Sequence, residues 1–545
     1  MKKAILLLVF SQLSFLFSAN AQNVSWAYNI GNTGSDQGYD ISNDELGNVY
    51  VTGWFSGTAQ FGNQTLVSYG LQDIFIASYD SNGNLNWVRQ AGSSENEVSA
   101  GIASAPNGDT YITGWFKGSC DFSDSTVISQ GDYDMFLAKY NAEGAIQWVH
   151  SGGGTLDDYG NRVTLTSDGG ATVAGSFKST FSAAAIQTAS QGNRDILVCH
   201  YAPDGQLVWM KGIGGVSEDR AYGIVQDTNG DYYITGVFSD VVDFGGTSLT
   251  CNSFFATYLA KLSNDGNVVW AIKGDGFAND FVRGYGVAVD QQGNVYTNGF
   301  YSGRLNMGGV TLLASGGQYD QETYLMKFTS DGTLVWSRTS GGALGVDQST
   351  DLLLAPNNQI MEVGFFHNAA TFGSATINAA GQSDVFVTKY DDAGNLLAVS
   401  SFGGSGNEYG YGIAADNDGN IYMAGVITGS TNMGTIPLES NGGNDILIAR
   451  LTLSPLEVSN SAALAPISLY PNPTRDRIQL DCSALKQLHS SVNLEIVDQS
   501  GRTVYSERGI AGLNLFDLSD LQSGLYLVRL FGEGYSSTTQ LLVAR

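Results

Sequence analysis

The chain of 545 residues carries a formal net charge of −27 and contains 70 glycines, nearly twice the usual share of about 7%. A surface this acidic repels phosphate backbones and anionic lipid, which argues against nucleic acid as a partner. Four cysteines are too few for a disulfide scaffold. Cys199 lies in an apolar run and is predicted to be a core residue, whereas pairing of Cys120 with Cys251 is left open.

The N-terminus has the composition of a secretory signal. Two lysines precede an apolar run over residues 4–17, and Ala19-Asn20-Ala21 follows before Gln22. The small-x-small pattern predicts cleavage between Ala21 and Gln22, so residues 1–21 are assigned to a signal peptide. No later stretch reaches the roughly 18 apolar residues of a membrane-spanning helix, so no transmembrane segment is expected in the mature protein.

From residue 22 to residue 454 the sequence repeats. The clearest copy, GDTYITG, ends at Gly114, and related copies recur every 61 to 65 residues. The landmark glycines are Gly53, Gly114, Gly175, Gly236, Gly299, Gly364 and Gly425. A fixed period of this length is typical of solenoids and propellers.

Each repeat predicts a four-stranded antiparallel meander with Asn-Gly or Asp-Gly turns and a small projecting hairpin between its second and third strands. Third strands are apolar on both faces, so both faces must be covered, as in stacked propeller blades. Tryptophans mark six fourth strands: Trp26, Trp87, Trp148, Trp209, Trp270 and Trp336, with Ala398 in the seventh copy. Because the chain opens on a fourth strand and the last repeat lacks one, the prediction is a seven-bladed, all-β propeller whose N-terminal strand closes the last blade.

After residue 454 the period stops. Residues 455–465 form a small-residue, polar linker, and short strand patterns with Ser-Gly turns predict an independent β-sandwich over residues 466–545.

Two family resemblances follow from these motifs. The repeats, with their D…GNvYvtG and D.fvakyd..G…W patterns, resemble the SBBP-type propeller repeats of secreted bacterial proteins. Residues 466–545 resemble the type A C-terminal sorting domain of the type IX secretion system. That match rests on the motif Tyr470-Pro471-Asn472-Pro473, on Gly501 in DQSGR, and on Gly524 and Tyr526 in LSDLQSGLY. The second resemblance implies the type IX machinery as a partner and a secreted or outer-surface location.

One acidic position is present in every repeat, ten or eleven residues after the tryptophan position. The residues at this position are Asp36, Glu97, Asp158, Asp219, Asp280, Asp347 and Glu408. We call this set the acidic ring and expect it at one mouth of the central channel. Carboxylates in such turns ordinarily accept backbone N–H groups and shape loops, which is the favoured interpretation. A calcium site is the alternative, and no other cofactor is expected.

The sequence shows no nucleophile–base, zinc or phosphate-loop motif. Its arginines predict no cluster suited to a sugar carboxylate, whereas Trp54 and Trp115 could either stack on sugars or pack between blades. The expectation is a non-catalytic binding platform for an extracellular protein or glycan. A polysaccharide lyase or glycoside hydrolase is the alternative, with an asymmetric site sought near residues 275–283 and 315–322.

Overall fold

The structure, a computed structural model, describes residues 23–343, 345–355, 358–453, 469–470, 472, 474–482, 492–498, 503–510, 512–532 and 535–544. These residues form strands and turns and contain no helix, as the all-β prediction requires. Accordingly, no membrane-spanning helix occurs among them. The chain divides into two compact units, Met1–Pro455 and Leu456–Arg545. Ala21, Gln22 and residues 455–465 lie outside the described residues.

The first unit is built from four-stranded antiparallel meanders in chain order. Their first strands are Gln37–Asn43, Val98–Ser104, Tyr159–Leu165, Asp219–Gln226, Val282–Val289, Gln348–Ala355 and Glu408–Ala415. Their second strands are Val49–Phe55, Thr110–Asp121, Ala171–Phe177, Tyr232–Phe238, Val295–Ser302, Gln359–Phe372 and Ile421–Ile427. Their third strands are Asp73–Tyr79, Thr126–Tyr140, Asp195–Tyr201, Ala256–Leu262, Gln321–Phe328, Ala375–Tyr390 and Asp445–Thr452. Their fourth strands are Leu85–Ala91, Ile146–Gly152, Leu207–Gly215, Val268–Asp275, Leu334–Ser340, Leu396–Gly404 and, for the last sheet, Asn23–Ile30.

The predicted hairpins are present between second and third strands. Five are separate: Thr58–Phe61 with Gln64–Val67, Thr180–Ala183 with Ile186–Ala189, Val241–Asp243 with Ser248–Thr250, Arg304–Met307 with Val310–Leu313, and Ser430–Met433 with Ile436–Glu439. In the second and sixth sheets the hairpin continues the second and third strands without a break.

The first strands contact one another in a closed cycle, and the last of them, Glu408–Ala415, returns to Gln37–Asn43. The N-terminal strand Asn23–Ile30 pairs antiparallel with Asp445–Thr452, which confirms the predicted pairing of the two chain segments. Each fourth-strand tryptophan also reaches the next sheet. Its indole Nε1 donates to a carbonyl in the turn between that sheet's third and fourth strands, at 2.8 to 3.2 Å.

Burial follows from this arrangement. The second and third strands of the first sheet, Val49–Phe55 and Asp73–Tyr79, are buried at every residue, so both faces are covered as predicted. A separate apolar core lies between each pair of neighbouring sheets, including the pair formed by the last and the first. Stability therefore comes from sheet-to-sheet interfaces and not from one central core.

Every first strand carries a β-bulge at the same point, opposite the landmark glycine of the second strand. A Cβ on any of the seven landmark glycines would lie 1.9 to 2.0 Å from a first-strand carbonyl oxygen. Only glycine permits this approach. The repeat's most constant residue is thus the one that accommodates the bulge.

The second unit contains two antiparallel sheets. One comprises Leu469–Tyr470, Arg477–Cys482 and Gly512–Asp517, and the other Thr503–Ile510, Val492–Val497, Gly524–Gly532 and Tyr535–Val543. Side chains of both sheets, among them Ile478, Phe516 and Val528, share one buried cluster.

Replacing a landmark glycine with alanine should destabilise the first unit. In Gly114→Ala the new methyl group meets the Val98 carbonyl oxygen, and we expect a loss of roughly 1–3 kcal/mol in the free energy of unfolding. The matched control is Gly345→Ala, where the nearest atoms lie at an ordinary 3.4 Å. Chemical denaturation measures both variants, and equal stability would contradict the steric account.

Candidate functional site

The bulges direct one residue from each first strand into a common cavity. These residues are Tyr39, Ala100, Asn161, Tyr222, Tyr285, Thr350 and Tyr411. A bulge re-aims a side chain that a regular strand would direct elsewhere, and bulges are common next to binding sites. We call the cavity, of about 530 Å³, the cup.

A second tier of the cup stands two residues before the bulges. This second tier comprises Tyr159, Arg220, Arg283, Gln348 and Tyr409 of the first strands. Two residues of second strands, Trp115 and Phe365, complete the wall. The backbone carbonyls of these second-tier residues are the ones that approach the landmark glycines. The landmark glycine, the bulge and the cup wall are therefore linked, because the same first-strand segment contacts the glycine and lines the cup.

Aromatic rings in the cup support one another. Tyr39 packs against Tyr411 with ring centroids 5.9 Å apart, and Tyr222 against Tyr285 at 5.4 Å. Trp115 meets Tyr159 edge-on at 5.0 Å. Such pairs hold their rings in place and leave the phenolic oxygens to act as hydrogen-bonding groups.

The floor of the cup is an ion-pair bridge among three sheets. Arg162 lies 3.0 Å from a carboxylate oxygen of Asp40 and also pairs with Asp351. Both carboxylates are buried, and each accepts backbone N–H groups of its own and a neighbouring first strand. The Arg162 charge is thus satisfied within the protein.

The other two arginines of the cup differ in their partners. Arg220 donates through Nε and Nη2 to one oxygen of Glu218. Arg283 donates from Nη1 to the Tyr285 hydroxyl at 3.0 Å and forms no ion pair within the described part of the chain. Its Nε is buried and has no hydrogen-bond partner among the described residues. Separate repeats bring Arg162, Arg220 and Arg283 to one cavity, a grouping that the sequence did not indicate, and carboxylates of the protein already engage two of the three.

The acidic ring lies beside the cup, since each of its residues stands at or just before the start of a first strand. All seven residues are buried. Each accepts the N–H group of a residue three to five positions earlier, such as Asn32 for Asp36 and Gly154 for Asp158. Several also accept the N–H group of the residue three positions after the landmark glycine, as Asp158 does from Lys178. This geometry is the loop-shaping one.

A second carboxylate stands near most ring residues, contributed by the third strand of the preceding sheet. These neighbours include Asp445 for Asp36, Asp73 for Glu97, Asp134 for Asp158, Asp195 for Asp219, Glu322 for Asp347 and Asp384 for Glu408. No cluster of three or more metal-ligating side chains occurs among the residues that the structure describes. In the fourth sheet Ala256 replaces the third-strand acid, and Asp275 stands where most other sheets have glycine.

Burial controls the protonation of these pairs. Loss of hydration raises the pKa of Asp36 to about 6 and the pKa of Glu97, Asp158, Asp219, Asp347 and Glu408 to about 7. The pKa of Asp134 also rises to about 6, again through burial, and its Oδ1 finds no hydrogen-bond partner in the part of the chain that the structure describes. A shared proton would satisfy such an oxygen beside a second carboxylate.

Other predicted residues lie apart from the cup. Trp54 is buried, whereas Trp115 lines the cup. Residues 315–322 are absent from the cup wall, but residues 275–283 end at Arg283, which belongs to it. Cys199 is a free, fully buried core residue, and Cys120 and Cys251 are also free. The cup could be found from sequence only by aligning residues one and three positions after the ring acids, or three and five positions after Asp280 in the fifth repeat.

In the second unit, Gly524 begins a strand, and the Tyr526 hydroxyl donates to the Gln522 carbonyl at 2.9 Å. The Asn472 side chain accepts the Leu542 N–H group. The backbone of Tyr470 pairs with Gln479, whereas Pro471, Pro473 and Gly501 lie outside the described residues.

Comparison with known proteins identifies the second unit. Residues 468–544 match the family described as the secretion system C-terminal sorting domain. The protein is therefore exported through the type IX secretion system to the cell surface or the extracellular space. The sorting domain implies interaction with that machinery.

The repeats have more distant relatives. The chain is 22% identical over 504 residues to the uncharacterized WD repeat-containing protein L264 of Acanthamoeba polyphaga mimivirus, covering 74% of this chain but only 36% of L264. It thus spans about a third of that protein. The first unit is a repeat propeller.

Solved structures give only weak likenesses. PorZ, a surface component of the type IX secretion system of Porphyromonas gingivalis, has 10% identity and a TM-score of 0.18, with 95% of this chain and 100% of PorZ covered. A protein of unknown function from Bacteroides thetaiotaomicron has 10% identity and a TM-score of 0.30, with 76% and 98% covered.

The raised carboxyl pKa values predict that the first unit loses stability as pH rises from about 5 to about 8. A carboxyl whose folded pKa exceeds its unfolded value binds more protons when folded in this interval, so the free energy of unfolding falls with increasing pH. Melting temperatures across this interval test the prediction, and a melting temperature that rises with pH would contradict it.

Asp134→Asn supplies a matched variant for the same experiment. Its amide mimics the protonated acid, with the amide oxygen accepting the Gln130 N–H group as Asp134 Oδ2 does. We expect a higher melting temperature at pH 8 and a shallower pH dependence than in the wild-type protein.

Proposed function

We propose that the first unit is a closed, seven-bladed β-propeller of the SBBP-type repeat, followed by a β-sandwich sorting domain, and that it acts at the cell surface as a non-catalytic binding platform. The observation that carries the proposal is the cup, in which seven equivalent bulges converge on one cavity. Because the residues there differ from sheet to sheet, the cup breaks the symmetry of an otherwise uniform repeat. Asymmetry is expected where a particular ligand is recognised.

Seven blades are supported by the first strands, which contact one another in a closed cycle, and by an apolar core between each neighbouring pair of sheets. The N-terminal strand supplies the fourth strand of the last sheet, and Trp26 of that strand donates to the Ser81 carbonyl in the first sheet. A propeller closed in this way leaves no open edge between its ends.

A binding role is supported by the state of the polar groups in the cup. Burial raises the pKa of Tyr39, Tyr285 and Tyr411 above their usual value, with the Arg283 charge opposing the rise for Tyr285. Neutral phenols donate and accept hydrogen bonds but are poor general bases at neutral pH. The floor carboxylates of Asp40 and Asp351 are engaged with Arg162, which leaves them unsuited to act as a glycosidase pair.

The runner-up is a polysaccharide lyase, and the observation that favours it is the Arg283–Tyr285 hydrogen bond at one asymmetric position of the cup. In a lyase the arginine would neutralise a uronate carboxylate and the tyrosine would take up or supply a proton. Formation of unsaturated uronates from acidic polysaccharides, lost in Tyr285→Phe, would replace the binding proposal with this one.

Removing residues 23–31 should open the propeller. The deletion leaves the edge of Asp445–Thr452 unpaired and removes the Trp26 contact, so we expect a broader and less cooperative thermal transition at a lower temperature. Differential scanning calorimetry of the wild-type protein and the deletion variant measures this. An unchanged transition would contradict closure by the N-terminal strand.

Binding through the cup is tested with the full secreted chain on a glycan array. The double variant Tyr222→Ala/Tyr411→Ala removes two bulge residues from the cup, and we expect it to lose the signals that the wild-type protein gives. The control is Tyr319→Ala, on an exposed loop outside the cup. Signals that survive the double variant would contradict the cup as the binding site.

A further inference from the structure

We infer that the cup recognises a glycan bearing a single carboxylate, which pairs with Arg283, while the sugar rings lie against the tyrosines of the wall. This inference rests on the proposed binding function and specifies the ligand class of the same site.

The Arg283 guanidinium lies among aromatic rings and has hydrogen-bond donors that the described residues leave unused. Four aromatic rings surround its guanidinium, those of Tyr222, Phe281, Tyr285 and Phe300, with centroids 5.2 to 5.9 Å away. Its only side-chain hydrogen bond within the described residues is the one to Tyr285, and its buried Nε has no partner. A desolvated cation with unused donors is costly, and a bound carboxylate would relieve that cost.

The three arginines of the cup differ in their acidic partners. Arg162 lies between two floor carboxylates and Arg220 pairs with Glu218, whereas Arg283 has no acidic partner among the residues that the structure describes. The Arg220 guanidinium also repels that of Arg283. Arg283 is therefore the one arginine of the cup without an acidic partner among the described residues, and a ligand carboxylate would supply that partner. A polyanion is disfavoured because the whole chain carries a net charge of −27.

Most of the cup wall is polar. The six tyrosines of the cup, together with Asn161, Gln348 and Thr350, surround the cavity with hydroxyl and amide groups. Six of the seven sheets thus contribute hydroxyl, amide or guanidinium groups to the wall, and the second contributes Ala100 and Trp115. A wall of this composition suits a hydroxyl-rich ligand better than an apolar peptide side chain. The volume of about 530 Å³ is in the range of small-molecule sites.

Isothermal titration calorimetry of the full chain tests the inference with paired probes. Sialyllactose and an aldotetraouronic acid each carry one carboxylate, and lactose and xylotetraose are their neutral counterparts. A galacturonate heptamer is the polyanion. We expect at least one singly acidic probe to bind about tenfold or more tightly than both its neutral counterpart and the polyanion.

Arg283→Gln should lower the affinity for that probe by at least about tenfold, and Arg283→Lys should restore part of it, because lysine keeps the charge but not the planar fork. Arg220→Gln, whose charge is already paired, should have a smaller effect, and Arg304→Gln on a projecting hairpin should have none. Melting temperatures of all four variants check that each is folded.

The outcomes separate the inference from the proposed function. A neutral probe that binds as tightly as its acidic counterpart, and is lost in Tyr222→Ala/Tyr411→Ala, overturns the acidic ligand but keeps the cup as a binding site. Preference for the polyanion, or acidic binding unchanged in Arg283→Gln, also overturns the inference. If no probe binds at millimolar concentration, the inference falls, and the glycan array decides the proposed function separately.

Discussion

Each landmark glycine lies so close to the neighbouring first strand that the position of the bulge, and with it the cavity, follows from this contact. A Cβ at Gly114 or Gly425 would lie within 2.0 Å of a carbonyl oxygen, so no other residue fits. That approach accommodates the bulge, and the bulge turns one side chain per sheet into a shared cavity. The same glycine contact and bulge, repeated in seven sheets, therefore produce a single site. The residues at the bulges determine the chemistry of that site.

The carboxylates of the acidic ring lie outside the cup and fix the starts of the first strands that line it. By accepting N–H groups on both sides of a loop, Asp158 fixes the start of the strand that carries Tyr159 and Asn161. The same burial raises its pKa, so the positioning of the cup and the response of the protein to pH depend on one set of groups. In the fourth sheet Ala256 replaces the third-strand acid, and Asp275 supplies the second carboxylate instead. We infer that the presence of a carboxylate beside the ring acid is more important than the strand that carries it.

Much of the fold could be predicted from the sequence, because period, turn glycines and doubly apolar strands are local signals. The pairing of Asn23–Ile30 with Asp445–Thr452 followed from counting tryptophans. The cup could not be predicted in the same way. Arg162, Arg220 and Arg283 are about sixty residues apart and occupy different positions relative to their ring acids, so only ring closure and the bulges bring them together. The acids are visible in the sequence because they repeat, whereas the cup residues differ from repeat to repeat and form no pattern.

A crystal structure of the full chain grown with sialyllactose or the aldotetraouronic acid would show whether the bulges build a ligand cup. We expect ligand density within the cup, with the carboxylate on the Arg283 guanidinium and sugar rings against Tyr222 and Tyr285. Ligand bound on the projecting hairpins, with a cup that holds only solvent, would contradict this expectation.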